Sequence, residues 1–326
     1  MTSPWRSAAL AGVTGMALAG CASVHAPTPA QQSRAIPSTQ LAASRPLTEP
    51  WTLPFVVTAG RPMLEATVGG VGGRVMFDTG TEDVMLLNRA LAPLDAGQAL
   101  GTGQASSGQR VEVRRHPAPE VTLGGRPLPL GPVVRSGDFG FLLQGLRPDF
   151  LGFVGVGWVQ ERAFVLDYGR RALTLLPLKP DRTLAVPAPS PAETLARIDL
   201  RLVQDELPLA AGAVGERAML IDFDTGDTST FYLKASTVEA LAAAGRLTTG
   251  PGGLLRLDDL HLGGARFDAV NGRWVEVGGP DDHRRDGQPE LLRLGSSFLQ
   301  QNPTLWNLAG GTILVLRPDA PWLAQP

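Results

Sequence analysis

A single cysteine, Cys21, occurs in 326 residues, so no intramolecular disulfide can support the fold. Lysine is nearly as scarce: Lys179 and Lys234 are the only two, and the formal charge is -2. The chain therefore lacks the basic surface that grips nucleic acid, and no nucleic-acid partner is expected. Four histidines, His25, His116, His261 and His283, stand apart without a His-x-x-x-His or cysteine partner spacing, so neither a metal site nor a cofactor is expected. Gly69-Gly70-Val71-Gly72-Gly73 is followed by no Gly-Lys-Ser/Thr and no helix start, which reads as a hairpin turn rather than a phosphate cradle. Ser296-Ser297 after Gly295 lacks the Gly-x-Ser-x-Gly elbow of a serine nucleophile.

Glycine and proline, by contrast, are abundant, at 39 and 28 residues beside 43% hydrophobic and 6% aromatic residues. That composition suits many short strands and turns better than long helices, in a chain long enough for two domains. Within it, Phe77-Asp78-Thr79-Gly80 returns as Phe223-Asp224-Thr225-Gly226, each after an apolar run, as expected where a buried strand ends in a turn. Pro62 and Pro208, Val68 and Val214, Asp78 and Asp224, and Leu87 and Leu233 are all 146 apart. Leu123-Gly124-Gly125 recurs as Leu262-Gly263-Gly264 at 139, and Gly155, Trp158 and Gln160 recur as Gly295, Phe298 and Gln300 at 140. The pattern is an internal duplication with small loop indels, of a unit longer than a solenoid repeat.

Apolar-apolar-Asp-Thr-Gly, a Gly-rich hairpin, an apolar-Gly pair (Val154-Gly155 and Leu294-Gly295) and a closing strand resemble the retropepsin unit of aspartic peptidases. Two units in one chain, over roughly residues 52 to 318, are similar to pepsin-like enzymes. The resemblance implies a mostly β, two-lobed aspartic-protease-like barrel architecture with pseudo-two-fold symmetry. It also implies a monomer that acts on protein or peptide substrates. Asp78 and Asp224 would face each other and share a proton, the pattern for which aspartic proteases are the standard example. Thr79 and Thr225 would tie the two turns together, while Gly80 and Gly226 would let backbone N–H groups approach the carboxylates. In the alternative, both aspartates merely cap turns.

Two positions depart from the family pattern. Thr81 conforms to the Ser, Thr or Ala usual after Gly, but Asp227 does not, and Asp222 stands where an apolar residue is usual. Residues two apart on a strand share a face, so Asp222 is expected beside Asp224 in the cleft, and both extra carboxylates are candidates for a substrate pocket that favours basic side chains. They also fit a copy that binds extended peptides without cleaving them. Asp222-Phe223-Asp224 further resembles the Asp-x-Asp of haloacid-dehalogenase-like phosphatases, which would require Mg²⁺ and a parallel α/β sheet.

From the start of the chain, Arg6, an apolar run over residues 8 to 20 and Leu18-Ala19-Gly20-Cys21 resemble a bacterial lipoprotein signal, with Cys21 as the lipidated residue. The run is too short to cross a bilayer. Ordinary cleavage after Ala17-Leu18-Ala19, leaving a free thiol, is the alternative. Ala22 at the next position favours the outer membrane, facing the periplasm of a diderm host. Residues 22–50 read as a disordered tether, 51–178 as the first lobe, 179–196 as an interlobe linker and 197–320 as the second lobe. Gly101, Thr102 and Gly103, in the small flexible run to Gly108, read as the tip of a flap or as a plain surface loop. Gly250 and Gly252, around Pro251, occupy the place of a second, stiffer flap. Lys234 to Ala244 predicts a short helix stopping at Gly245, while Trp158 and Phe298 are expected in the core.

Overall fold

A computed structural model describes residues 47–105, 109–201, 208–282, 284 and 287–325. Cys21, the expected signal segment, most of the tether, His25, His283, Leu202 and the flap residues 106–108 lie outside them.

Short strands and tight turns build two lobes of matching design, as the glycine-rich composition leads one to expect. In the first lobe Arg61–Val68 turns through Gly69 and Gly70, at φ 54° and 84°, into Val71–Asp78. Two successive positive φ values are those of a tight hairpin turn matched to strand twist, and only glycine adopts them without strain. Phe150–Gly155 then lies parallel to Val71–Asp78, with Gly155 opposite Asp78, and antiparallel to Met85–Asn88. The strand after the motif thus returns on the far side of a third strand. In the second lobe Arg217–Phe223, Leu291–Leu294 and Thr230–Leu233 repeat the arrangement.

The duplication is not in perfect register. Phe153 faces Leu86, but Arg293, 140 residues after Phe153, faces Thr230, which is 144 after Leu86. Leu87 and Leu233, 146 apart, therefore do not occupy the same ladder position. Two residues are missing from the second lobe between its aspartate and the next strand, a change absorbed in the loop.

A six-stranded antiparallel sheet joins the lobes, in the order Trp51–Thr58, Ala172–Leu176, Ala163–Asp167, Thr304–Asn307, Thr312–Leu316 and Thr194–Arg201. Its central pairing sets Val165 opposite Leu305, residues 140 apart as Gly155 and Gly295 are, so equivalent positions meet and the pseudo-two-fold axis passes between them. The strand opening the second lobe begins at Thr194, inside the stretch expected to be linker.

Helices are few and short. Among the described residues Ala235–Ala243 is the longest, and it closes at Gly245, whose φ of 70° suits the left-handed residue that ends a helix. Among the described residues no helix is long and apolar enough to cross a membrane. Trp158 and Phe298 are both buried.

Candidate active site

The aspartates are presented by strand alternation. Phe77 and Phe223 point to the opposite side of their strands from Asp78 and Asp224, and they pack on the interlobe sheet. Phe77 meets Phe164 edge-on at 5.4 Å, Phe164 stacks on Trp306 at 5.2 Å, and Trp306 meets Phe223 edge-on at 5.6 Å. This row of aromatics couples the two aspartate-bearing strands across the axis and leaves little freedom in their separation.

On the other side the two turns lock reciprocally. The Thr79 amide donates to Thr225 Oγ1 at 3.0 Å, and the Thr225 amide donates to Thr79 Oγ1 at 3.0 Å. Each hydroxyl in turn donates across the axis, Thr79 to the Phe223 carbonyl at 2.9 Å and Thr225 to the Phe77 carbonyl at 2.6 Å. All four partners are buried, so each bond is exchanged against no competing water and loss of any one strands its partner.

The turns hold the carboxylates in the same way. Asp78 Oδ1 accepts the Gly80 amide at 2.8 Å, and Asp224 Oδ1 accepts the Gly226 amide at 2.9 Å. A Cβ on Gly80 would lie 2.4 Å from Asp224 Oδ2, so glycine is what allows the second carboxylate to approach the first turn. Gly155 and Gly295 do the same one layer down: a Cβ on either would lie within 2.3 Å of a backbone carbonyl in the loop after the motif, at Asp83 and Asp227 respectively. That contact explains why an apolar-Gly pair recurs beside each Asp-Thr-Gly.

The remaining carboxylate oxygens differ. Asp78 Oδ2 accepts the Thr81 hydroxyl at 2.7 Å. Asp224 Oδ2 accepts no hydrogen bond among the described residues, and Arg293 Nη1 stands 3.3 Å from it. Burial pushes the Asp224 pKa well above the usual carboxylate range, the charge of Asp78 adds to this, and Arg293 opposes both.

Arg293 also corrects the expectation for Asp222. Rather than opening to a substrate pocket, Asp222 is buried and accepts Arg293 Nε at 3.2 and 3.1 Å and Arg293 Nη2 at 2.8 Å. The same-face argument places it beside Asp224, since one guanidinium reaches both, but the neighbouring strand supplies the counter-charge that a basic substrate was expected to bring. Burial works against the Arg293 charge, yet the two carboxylates outweigh it and hold its pKa well above the ordinary value.

Asp227 is likewise no open pocket residue. Its carboxylate turns inward to accept the Ser229 amide at 3.0 Å and the Thr230 hydroxyl at 3.1 and 3.0 Å. The sequence signal for Arg293 was available: a lone arginine in the apolar strand Leu291–Leu294 is the opposite anomaly to Asp222 in the strand beside it.

Thr102 and Gly103 lie in a hairpin of Gln98–Gln104 with Arg110–Pro117, and Gly101, at φ 146°, sits at a slip in its register. Ala105 and Val111 of this hairpin bury against Met76, Phe139 and Phe153, which lays it over the face of the strand that carries Asp78. The second hairpin, Leu247–Thr249 with Leu255–Leu257, turns through Gly250 and Gly252, the latter at φ 69°. Its buried Leu255 and Leu257 join the main core.

The Asp-x-Asp alternative needs a parallel α/β sheet, which a fold of hairpins and short helices does not supply. No family model matches the chain, and no curated protein matches it. Among solved structures, the crystal structure of basic 7S globulin from soybean is similar, with a TM-score of 0.50 at 12% identity over 85% of this chain and 97% of that chain. The likeness is one of fold, and the fold is mostly β, two-lobed and pepsin-like.

Proposed function

We propose that the chain is an aspartic endopeptidase in which Asp78 and Asp224 activate a water for attack on a peptide carbonyl. The observation that carries the reading is the reciprocal lock of Thr79 and Thr225, because it fixes the two aspartate-bearing turns against each other. Two such groups cannot both ionise cheaply, so together they keep one proton. The ionised member takes a proton from water as its oxygen bonds to the carbonyl carbon, while the protonated member donates a hydrogen bond to the carbonyl oxygen. The tetrahedral intermediate then collapses with breakage of the C–N bond and transfer of a proton to the leaving nitrogen. No covalent enzyme intermediate is required.

A second reading, binding of extended peptides without cleavage, is favoured by the near-complete burial of both carboxylates and by the cation against Asp224. Incubating the purified protein with a diverse peptide library, with and without a statine-type inhibitor, and sequencing the products by mass spectrometry separates the two. Inhibitor-sensitive cleavage that disappears in Asp78→Asn supports hydrolysis; retention of peptides without any cleavage from pH 3 to 8 supports the second reading.

The proposal includes export and attachment through lipid on Cys21, with the domain a monomer facing the periplasm from the outer membrane. Cys21→Ala is then expected to abolish palmitate labelling and move the protein to the soluble fraction. A wild-type protein that never takes up label would remove the anchor from the proposal.

A further inference from the structure

Arg293 is nearly buried, contacts one of the two paired aspartates, and is itself gripped through two nitrogens by a carboxylate that the proposed hydrolysis does not use. We propose that Arg293 is the positioning residue of the second aspartate, standing at Asp224 Oδ2 where the Thr81 hydroxyl stands at Asp78 Oδ2, and that Asp222 holds it there and balances its charge. The inference rests on the hydrolase reading only in giving the carboxylate pair a catalytic use.

The charges facing Asp224 decide what the arrangement does. From the neighbouring turn comes Asp78, and from its own strand and turn come Asp222 and Asp227, all acidic. From Leu291–Leu294 comes Arg293, and from Thr230–Leu233 comes the Tyr232 ring, 5.9 Å from the guanidinium. Arg61, whose Nε donates to the Gly226 carbonyl at 3.0 Å, approaches the same turn from the first lobe. Asp222 and Arg293 cancel, so the pair Asp78 and Asp224 keeps the single negative charge it would have alone. Arg293 Nη1 nonetheless stands 3.3 Å from Asp224 Oδ2, and the Asp222 and Asp224 charges are the two that most favour the Arg293 charge. Arg293 therefore works against the burial and the Asp78 charge that disfavour ionised Asp224, and shifts the negative charge of the pair toward Asp224 and the shared proton toward Asp78. Asp224 becomes the base, and Asp78 the donor to the carbonyl oxygen. Asp227, at the position equivalent to Thr81, is committed to Ser229 and Thr230 and cannot supply that donor, which leaves the place for Arg293.

The test is a carboxyl-carbon NMR titration of the full chain labelled at aspartate, with Asp78→Asn and Asp224→Asn used for assignment. In the wild type the lower titration step should report mainly on Asp224. Asp222→Asn removes a negative charge and should lower both macroscopic steps, whereas Arg293→Met removes a positive one and should raise both, each by about one pH unit or more. Asp222→Met/Arg293→Phe copies the first lobe's Met76 and Phe153, leaves no buried charge unpaired, and should move the first ionisation from Asp224 toward Asp78. Asp222→Asn and the double variant decide the matter if Arg293→Met does not fold. Steps that shift in the same direction in the single variants, or an ionisation order unchanged in the double variant, overturn the proposal. In peptide cleavage, the limbs of kcat/KM against pH should follow the NMR steps. Absence of cleavage by the wild type at every pH would sink the hydrolase reading alone, since the titrations still decide the role of Arg293.

Discussion

Behind each aspartate runs a row of three residues from adjacent strands, and the two lobes fill it with opposite chemistry. In the first lobe the row is Met76, Phe153 and Leu86, all buried and apolar, covered by the hairpin of Gln98–Gln104 and Arg110–Pro117 through Ala105 and Val111. In the second it is Asp222, Arg293 and Thr230, equally buried and all polar. Identical backbone ladders thus tolerate either filling, provided each member is satisfied: the three apolar groups by contact with one another, Asp222 and Arg293 by pairing, and Thr230 by donating to Asp227. A single member of either row placed in the other would be an orphan. This is why Asp222, one of the two departures from the family pattern, occurs together with Arg293 on the strand beside it.

The comparison can be broken most severely at the aspartates themselves. Asp78→Asn and Asp224→Asn should each lower peptide cleavage by about 10²-fold to 10⁴-fold or more with circular dichroism unchanged, because an amide can neither take the water's proton nor share the proton of the pair. Substantial activity in either variant would mean that the lobes do not share one reaction. Next in size is stability: Arg293→Met leaves Asp222 buried without its partner and should cost about 3–5 kcal/mol in denaturant melts. The paired replacement Asp222→Met/Arg293→Phe should be neutral or stabilising, which would turn the second row into a copy of the first. A double variant as unstable as the single one would show that the rows are not interchangeable.

Thr79→Val and Thr225→Val sharpen the comparison where the lobes are alike. Each removes a hydroxyl that accepts one amide and donates to one carbonyl, so each should cost about 1–3 kcal/mol, and by nearly the same amount. Unequal losses would mean that the lock is less symmetric than its distances. The smallest effect concerns pH. Burial, then the Asp78 charge, raises the Asp224 pKa well above the usual carboxylate range, so the pair keeps its shared proton in the fold to a higher pH than an unfolded aspartate does. Its contribution to stability is complete below the unfolded value and is lost as pH rises toward the folded one. Asp224→Asn does not titrate there, so its melting temperature relative to wild type should climb between pH 4 and 7. A constant difference across that range would mean that the pair holds no proton that the unfolded chain has already lost.

Much of this was legible in the residues. The doubled motif identified both turns, Lys234 to Ala244 anticipated the helix Ala235–Ala243, and the glycine-rich run Gly69 to Gly73 located the hairpin at Gly69-Gly70. These features are local, because a glycine at positive φ or a strand running into a turn depends on its immediate neighbours in the chain. The alternation argument even set Asp222 on the correct face. It failed on what Asp222 meets there, because the answer lies 71 residues away on a strand whose parallel register with its own is fixed by packing.

What the sequence determined by itself is therefore the duplicated unit, the ends of the aspartate strands and the glycines that let them approach, all set by short-range sterics and strand periodicity. Tertiary structure alone decided the two-residue slip between the lobes, the aromatic row from Phe77 through Phe164 and Trp306 to Phe223, and the pairing of Asp222 with Arg293. The physical reason is common to all three: whether a buried ring or charge is satisfied depends on which strand lies beside it, and that adjacency exists only once both lobes have closed on their shared sheet.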